Sequence, residues 1–286
     1  MAIKLKNLIK EKSPDIIIST HPFSSQMVSY LKRKGKINPI LATILTDFAS
    51  HKQWLIGHEY TDFFFVSNHN MQQELCDYGV EQSKIYVTGI PMSGRFFEKF
   101  DKDVIFKMFS LNVTMPVILF FGGGEFGLGK ERTLQILQSL ILNVPNEQIV
   151  AIAGKNEKMR ESFEALVKDL NVTDRVRVLG FTDKVPELMS ISHLVVTKPG
   201  GLTTTESLAS HLPLLVINPI PGQEEENAEF LEKHGVGIWI RKEANPDEII
   251  TNLFRSEQTL KTMKENTMKF VKSYSTRSIC EIILGK

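Results

Sequence analysis

The sequence has little of what staples or metallates a small protein. Its two cysteines, Cys76 and Cys280, are too few and too far apart for a disulfide framework or a C-x-x-C ligand pair, which predicts a reducing compartment. The seven histidines join Cys and Asp in no cluster at metal-ligand spacing, so no protein-bound metal is expected. No stretch approaches the ~20 apolar residues that cross a bilayer. The opening MAIKLKNLIKEK lacks the apolar run and small-residue cleavage site of a signal peptide. An excess of one charge is also missing: 34 Lys and Arg against 33 Asp and Glu leave +1, which gives no reason to expect nucleic acid as a partner. Internal repeats and low-complexity segments are absent from the chain. Together these absences predict a cytoplasmic globular protein.

What is present is 286 residues of ordinary composition, 42% hydrophobic and 23% charged, long enough for two domains. The charge is uneven. Residues 1–36 carry Lys4, Lys6, Lys10, Lys12, Lys32, Arg33, Lys34 and Lys36 against only Glu11 and Asp15. Such a cluster reads either as two solvated helix faces or as a contact with anionic lipid headgroups, at about 1 kcal/mol per basic residue near the surface.

Short apolar runs alternate with helical patterns. DIIIS (15–19), ILATILT (40–46), DFFFVS (62–67) and KIYVTG (84–89) read as strands. A second series follows, PVILFF (116–121), QIVAIAG (148–154), RVRVLG (175–180), HLVVT (193–197), LLVIN (214–218) and GIWI (237–240). Helical patterns cover 131–142, 157–169, 204–211 and 225–234. Strands apolar on both faces and separated by helices predict parallel sheets covered on both sides. The break near 96–116 gives two α/β domains, 1–100 with four strands and 101–286 with six, the latter ending in a helical tail from about 247.

Three motifs compete in ILFFGGGEFGLGKERTLQIL. Gly122, Gly124 and Gly127 fit the dinucleotide fingerprint, but Lys155-Asn156 stands where the next strand should end in a ribose-binding acid. Gly124 to Lys130 fit a P-loop, but Glu131 replaces its Mg²⁺-binding hydroxyl. What survives is a loop whose backbone N–H groups can approach a phosphate at a helix start, or a tight structural turn. Asp101-Lys-Asp103 imitates a metal motif but reads as surface charge in the linker.

The stretch TKPGGLTTTESLASHLPLLVINPIPGQEEEN (197–227) is more informative. A strand ends at Lys198-Pro-Gly-Gly201, and a helix beginning near Thr203 to Thr205 offers N–H groups to an anion, with Lys198 adding charge. Thr203 and Glu206 have capping-box spacing, worth about 1 kcal/mol with no ligand at all. The alternative is that Glu206 accepts from the two hydroxyls of a ribose beside a bound diphosphate. Gln223, Glu224 and Asn227 follow the next strand at the same sheet edge, where they suit sugar hydroxyls or form an exposed polar loop.

GGGEFGLG, AGKNEKM, VLGFTDKVPELM, TKPGGLTTTESLA and PIPGQEEEN resemble glycosyltransferases of the monogalactosyldiacylglycerol-synthase and processive diacylglycerol-glucosyltransferase type, relatives of the peptidoglycan lipid-intermediate glycosyltransferase. PDIIISTHP, TDFASHKQW and KIYVTGIPM extend the likeness over nearly the whole chain. The resemblance implies a GT-B fold, two Rossmann-like domains facing across a cleft, the second binding a UDP-sugar and the first a membrane lipid acceptor. By position, Phe181 and Thr182 would contact uracil. Gly200, Gly201, Leu202 and Thr203 would hold the diphosphate, and Glu206 the ribose. Gln223 and Glu224 would meet the donor sugar with Asn227 nearby, while Gly123, Gly124 and Glu125 would line the cleft. The family's opening glycine-rich loop with its histidine base has no match before Asp15, which implies an incomplete first domain and leaves His21, Asp47 and His51 at strand ends. Asp47 and His51 are the candidate catalytic residues, and His21 and Trp54 acceptor-side positions.

The implied activity is inverting transfer of a hexose from a UDP-sugar co-substrate, without a cofactor, to a lipid, expected to be diacylglycerol, at the inner face of the cell membrane. Alternatives are the peptidoglycan lipid-intermediate transferase, a UDP-sugar 2-epimerase, and a UDP-binding chain with impaired transfer.

Overall fold

Each of the ten apolar runs forms a strand in the computed structural model, which describes residues 2–122, 129–270 and 272–285. The chain divides into two units, residues 1–92 with 272–286, and residues 93–271.

In the first unit α1 (Ala2–Lys12) precedes β1 (Ile16–Ser19), α2 (Pro22–Arg33), β2 (Ile40–Ile44), β3 (Phe63–Val66), α3 (His69–Asp77) and β4 (Ile85–Val87). The strands are parallel in the order β1-β2-β3-β4. Pro22 suits the first position of α2, where no backbone N–H is needed, and His21 caps that helix. Because side chains alternate across a strand, Phe64 and Val66 face a cluster with Leu45, Trp54, Met71 and Leu75, while Phe65 joins Ala42 and Ile44 on the other face.

The second unit runs α4 (Lys102–Met108), β5 (Val117–Phe121), α5 (Lys130–Asn143), β6 (Gln148–Ile152), α6 (Glu157–Asp169), β7 (Val176–Leu179) and α7 (Val185–Ile191). It continues with β8 (Ser192–Thr197), α8 (Gly201–Ala209), β9 (Leu214–Val216), α9 (Gln223–Lys233), β10 (Gly237–Trp239), α10 (Pro246–Arg255) and α11 (Glu257–Thr267). Its six parallel strands lie in the order β10-β9-β8-β5-β6-β7. The connections run outward in opposite directions from the adjacent pair β5 and β8, which opens a crevice at their carboxyl ends.

Two boundaries differ from those read in the sequence. The division falls after Met92 rather than at residue 100, and the final helix α12 (Ser275–Leu284) belongs to the first unit. Its Ile279, Ile282 and Ile283 pack on Ala42, Ile44, Phe63 and Phe65. These contacts join residues more than 200 positions apart, so no local pattern announces them. Asp101 is a helix cap, its Oδ1 accepting from the backbone N–H of Asp103 at 3.0 Å. Gly122 answers a packing demand: a Cβ there would lie 2.2 Å from Phe163 Cζ. Among the described residues no helix is long and apolar enough to cross a membrane.

Where the strands of the second unit begin, His193 Nε2 and Glu147 Oε2 stand 3.4 Å apart. Burial pushes the Glu147 carboxyl up to about 7. His193 is pushed down to about 4 by burial and by the Lys264 charge, against a raising hydrogen bond at the Val117 backbone. Glu147 therefore opposes folding increasingly as pH rises from its ordinary 4.5 through 7, whereas His193 does so as pH falls from 6.5 through 4. Glu147→Gln is expected to raise stability at pH 8 by on the order of 1–2 kcal/mol and to give no gain near pH 4.5. Thermal unfolding at the two pH values checks this, and a lowered midpoint at pH 8 would contradict it.

Candidate functional site

The carboxyl ends of β5, β8 and β9 and the starts of α8 and α9 enclose a cavity of about 200 Å³, lined among others by Gly122, Thr133, Lys198, Gly200, Thr203 and Glu224. It lies at the crevice set by the strand order. Gly123, Gly124 and Glu125 fall outside the described residues.

Helix α8 starts earlier than the sequence pattern predicts. Gly200 is the cap residue, in extended conformation (ψ 143) and without a side-chain cap bond, and Thr204 N makes the first helical bond, to Gly200 O at 3.0 Å. Thr203 is thus the third residue of the helix, not its cap, and the capping box with Glu206 does not form. The cap thus lies three residues, nearly a full turn, before the one read at Thr203. The N–H groups of Gly201, Leu202 and Thr203 are the helix's free donors, at the end that carries partial positive charge. Glu206 lies one turn further in, and burial pushes its carboxyl up to about 7. Leu202 is exposed.

The residues after β9 divide their tasks. Glu224 Oε2 accepts from Ile220 N at 2.7 Å, and Oε1 lies 3.6 Å from where a Cβ on Gly200 would stand, so this carboxylate reaches the start of α8. Glu225 Oε2 accepts from Gly222 N at 3.0 Å and closes the first turn of α9. Gln223 is exposed at the helix start. Asn227 is different: fully buried, it donates from Nδ2 to Pro199 O at 3.1 Å and straps α9 to the loop before α8. Its amide is not offered to a sugar, which corrects the sequence reading.

Two polar residues at this edge escaped the sequence reading. Asn218, at φ 43, donates from Nδ2 to Thr133 Oγ1 at 2.9 Å and ties the end of β9 to the first turn of α5. The tolerance of Asn for left-handed backbone was the one signal available. At the neighbouring strand ends Phe181 is 70% exposed, with Lys155 Nζ 5.3 Å from its ring centre. Thr182 Oγ1 accepts from Lys184 N at 3.1 Å, fixing the turn that carries both.

The first unit places its candidates differently. Asp47 is 1% exposed and its Oδ2 accepts from Trp54 Nε1 at 3.1 Å, while its backbone oxygen accepts from Ser67 Oγ at 2.8 Å. It is a buried structural carboxylate rather than a base open to substrate, and Trp54, 2% exposed, is core rather than lipid-facing. His51 accepts from Gln53 N at Nδ1 (3.3 Å), and His21 accepts from Phe23 N likewise (3.2 Å). Each ring thus serves as the side-chain cap of the helical turn that follows it.

Residues 1–92 match the family model for monogalactosyldiacylglycerol (MGDG) synthase, and residues 117–278 match that for the glycosyltransferase family 28 C-terminal domain. The processive diacylglycerol beta-glucosyltransferase of Staphylococcus epidermidis (strain ATCC 12228) is 34% identical over 281 residues, covering 98% of this chain and 70% of that protein. The chain belongs to this glycosyltransferase family. The Bacillus subtilis (strain 168) protein of the same name is 33% identical, with 98% of this chain and 71% of that one covered. Solved structures are similar in fold. The S. aureus MnaA-UDP co-structure gives a TM-score of 0.76 at 16% identity, over 99% of this chain and 78% of that one. Acinetobacter baumannii MurG gives 0.70 at 15%, over 100% and 77%. The glycosyltransferase thus has the two parallel-sheet, Rossmann-like units of the GT-B class, and the first family model ends at the same residue, 92, as the structural division.

Proposed function

We propose that the chain transfers glucose from a UDP-sugar to the hydroxyl of diacylglycerol with inversion. The observation that carries this is the 34% identity over 98% of the chain to a processive diacylglycerol beta-glucosyltransferase. UDP-glucose is an α-glycoside, so a β-linked product requires attack from the opposite face in a single displacement. In this reading the open start of α8 and Lys198 receive the diphosphate and offset the charge that develops on departing UDP. Glu206 accepts from the ribose diol, and Phe181 and Thr182 meet the uracil. Gln223 and Glu224 face the sugar. UDP-sugar is a co-substrate, and the reading calls on no resident cofactor. His21 and His51 are acceptor-side residues, and Asp47 is left out of the chemistry. Deprotonation of the acceptor, a step that contributes about 10²–10⁴-fold in general, is assigned to no residue here.

The first unit is proposed to meet an anionic membrane surface peripherally. Phe23 and Tyr30, spaced seven residues apart on one face of α2, are 59% and 46% exposed, and Arg33 and Lys34 flank the Tyr30 ring. Lys32 is not part of this surface, because its Nζ pairs with Asp62 Oδ2 at 2.5 Å.

The test is incubation with UDP-glucose and diacylglycerol in vesicles with and without anionic lipid. Glucosyldiacylglycerol is expected, with more product and more sedimented protein on anionic vesicles, and with both reduced by Arg33→Ala and Lys34→Ala together. Transfer to a polyprenyl-linked acceptor alone would reject the glycerolipid reading. Equal sedimentation with both kinds of vesicle would reject the membrane contact.

A further inference from the structure

Arg95 is the third residue of the second unit and lies in a 3-10 turn, Gly94–Phe97, whose cap Ser93 accepts from its backbone N–H. Its guanidinium reaches a turn 88 residues further along the chain. Nη1 donates to Asp183 O at 3.0 Å, and Nη2 donates to Glu187 Oε1 at 2.6 Å. Glu187, in the first turn of α7, is only 8% exposed, and Lys184 Nζ stands 3.5 Å from the same oxygen.

This arrangement matters because the turn it holds carries Phe181 and Thr182. Lys184, the cap residue of α7, makes no side-chain cap bond, so the helix start following that turn has no cap of its own. Within the turn the support is Thr182 Oγ1 accepting from Lys184 N. Arg95 adds a fastening from outside, gripping the backbone at Asp183 and the buried carboxylate of Glu187 together. A planar fork suits this better than an ammonium, because its two terminal nitrogens stand apart and each faces one acceptor, whereas the three donors of an ammonium radiate from a single nitrogen.

We propose that Arg95 is a positioning residue for nucleotide recognition: it sets the Phe181–Thr182 turn for the base, so that affinity for the uracil end of UDP depends on it while affinity for the diphosphate does not. This rests on the reading above that Phe181 and Thr182 meet the uracil. The Gly94–Phe97 turn packs against α8, but Arg95 and its partners Asp183 and Glu187 do not line the cavity at the start of that helix, which is why the two parts of the nucleotide should respond separately.

The experiment is calorimetric titration of the full chain with UDP and, separately, with inorganic diphosphate, for the wild type, Arg95→Ala, Arg95→Lys and Glu187→Gln. Arg95→Ala is expected to weaken UDP about tenfold, the effect of losing one well-placed pair of charge-assisted hydrogen bonds, and to leave diphosphate within about twofold. Arg95→Lys, keeping one contact, should fall between. In turnover assays KM for the UDP-sugar should rise with kcat unchanged. UDP affinity unchanged in Arg95→Ala would overturn the proposal, and so would a parallel loss of both ligands, which marks general damage to the unit. Should Arg95→Ala fail to fold, Arg95→Lys and Glu187→Gln carry the same comparison. A wild type that binds UDP no more tightly than diphosphate would instead refute the base contact at Phe181 and Thr182 on which the proposal stands.

Discussion

Affinity for UDP-glucose should fall about tenfold between pH 8 and pH 6, and Glu206→Gln should flatten that slope, because the carboxyl titrates near 7 and only its ionised form accepts from both ribose hydroxyls. The sign follows from burial, which raises this group above its ordinary 4.5, so the proton leaves as pH climbs through about 7 and the diol-accepting form appears above it. UDP-glucose is the ligand of choice, since its phosphates have no second ionisation in this range to confuse the reading. Glu206→Ala should weaken the sugar nucleotide about 10- to 100-fold at pH 8, the usual cost of removing an ionised partner from two hydrogen bonds. The structure sharpens this expectation by disposing of the alternative. Had Thr203 been the helix cap, Glu206 would be bonded to backbone and its loss would act on stability. With Gly200 as cap, the carboxylate has no such duty. Unchanged affinity in Glu206→Ala, or an undiminished pH slope in Glu206→Gln, would remove the residue from the site.

Ending the chain at residue 271 is expected to unfold the first unit. Ile279, Ile282 and Ile283 of α12 cover the β-sheet face formed by Ala42, Ile44, Phe63, Phe65 and Tyr86. Uncovering three isoleucines and the surface beneath them costs about 4–6 kcal/mol, comparable with the whole stability of an ordinary domain. The approach is close as well as apolar. Lys272 Nζ donates to Val87 O at 3.2 Å, and a Cβ on Gly89 (φ 83) would lie 2.7 Å from Ser275 Oγ. Thermal unfolding monitored by circular dichroism should lose the amplitude of the first unit, and a dye specific for exposed apolar surface should bind, while UDP affinity persists in the second unit. A truncated chain with the unfolding profile of the whole would show that α12 is dispensable.

The architecture was legible because its signals are local. A strand of a doubly covered parallel sheet is apolar on both faces, so runs such as VILFF and QIVAI declare themselves without knowledge of their neighbours. The cavity at the strand ends was legible for a related reason: consecutive strand ends of one parallel sheet share an edge, so Lys198, Gly200 and Glu224 could be grouped before their distances were known. What was illegible depends on burial or on distant partners. Asp47 at a strand end reads as a candidate catalytic residue until Trp54 is found against it in the core. Asn227 reads as a sugar ligand until its amide is found on Pro199 O. Lys32 counts as surface charge until Asp62, 30 residues on, takes it up. The start of α8 failed differently, since two legitimate caps compete within four residues and a Thr-Glu box outranks glycine by propensity alone.

The discontinuity of the first unit bears on how the molecule is made. A ribosome delivers residues 1–92, then all of 93–271, and only afterwards the helix that seals one side of the earliest sheet. Of the two units, the one begun earlier is therefore the one finished later, and its bare isoleucine and phenylalanine surface must wait, sheltered or sticky, while the whole second unit is made.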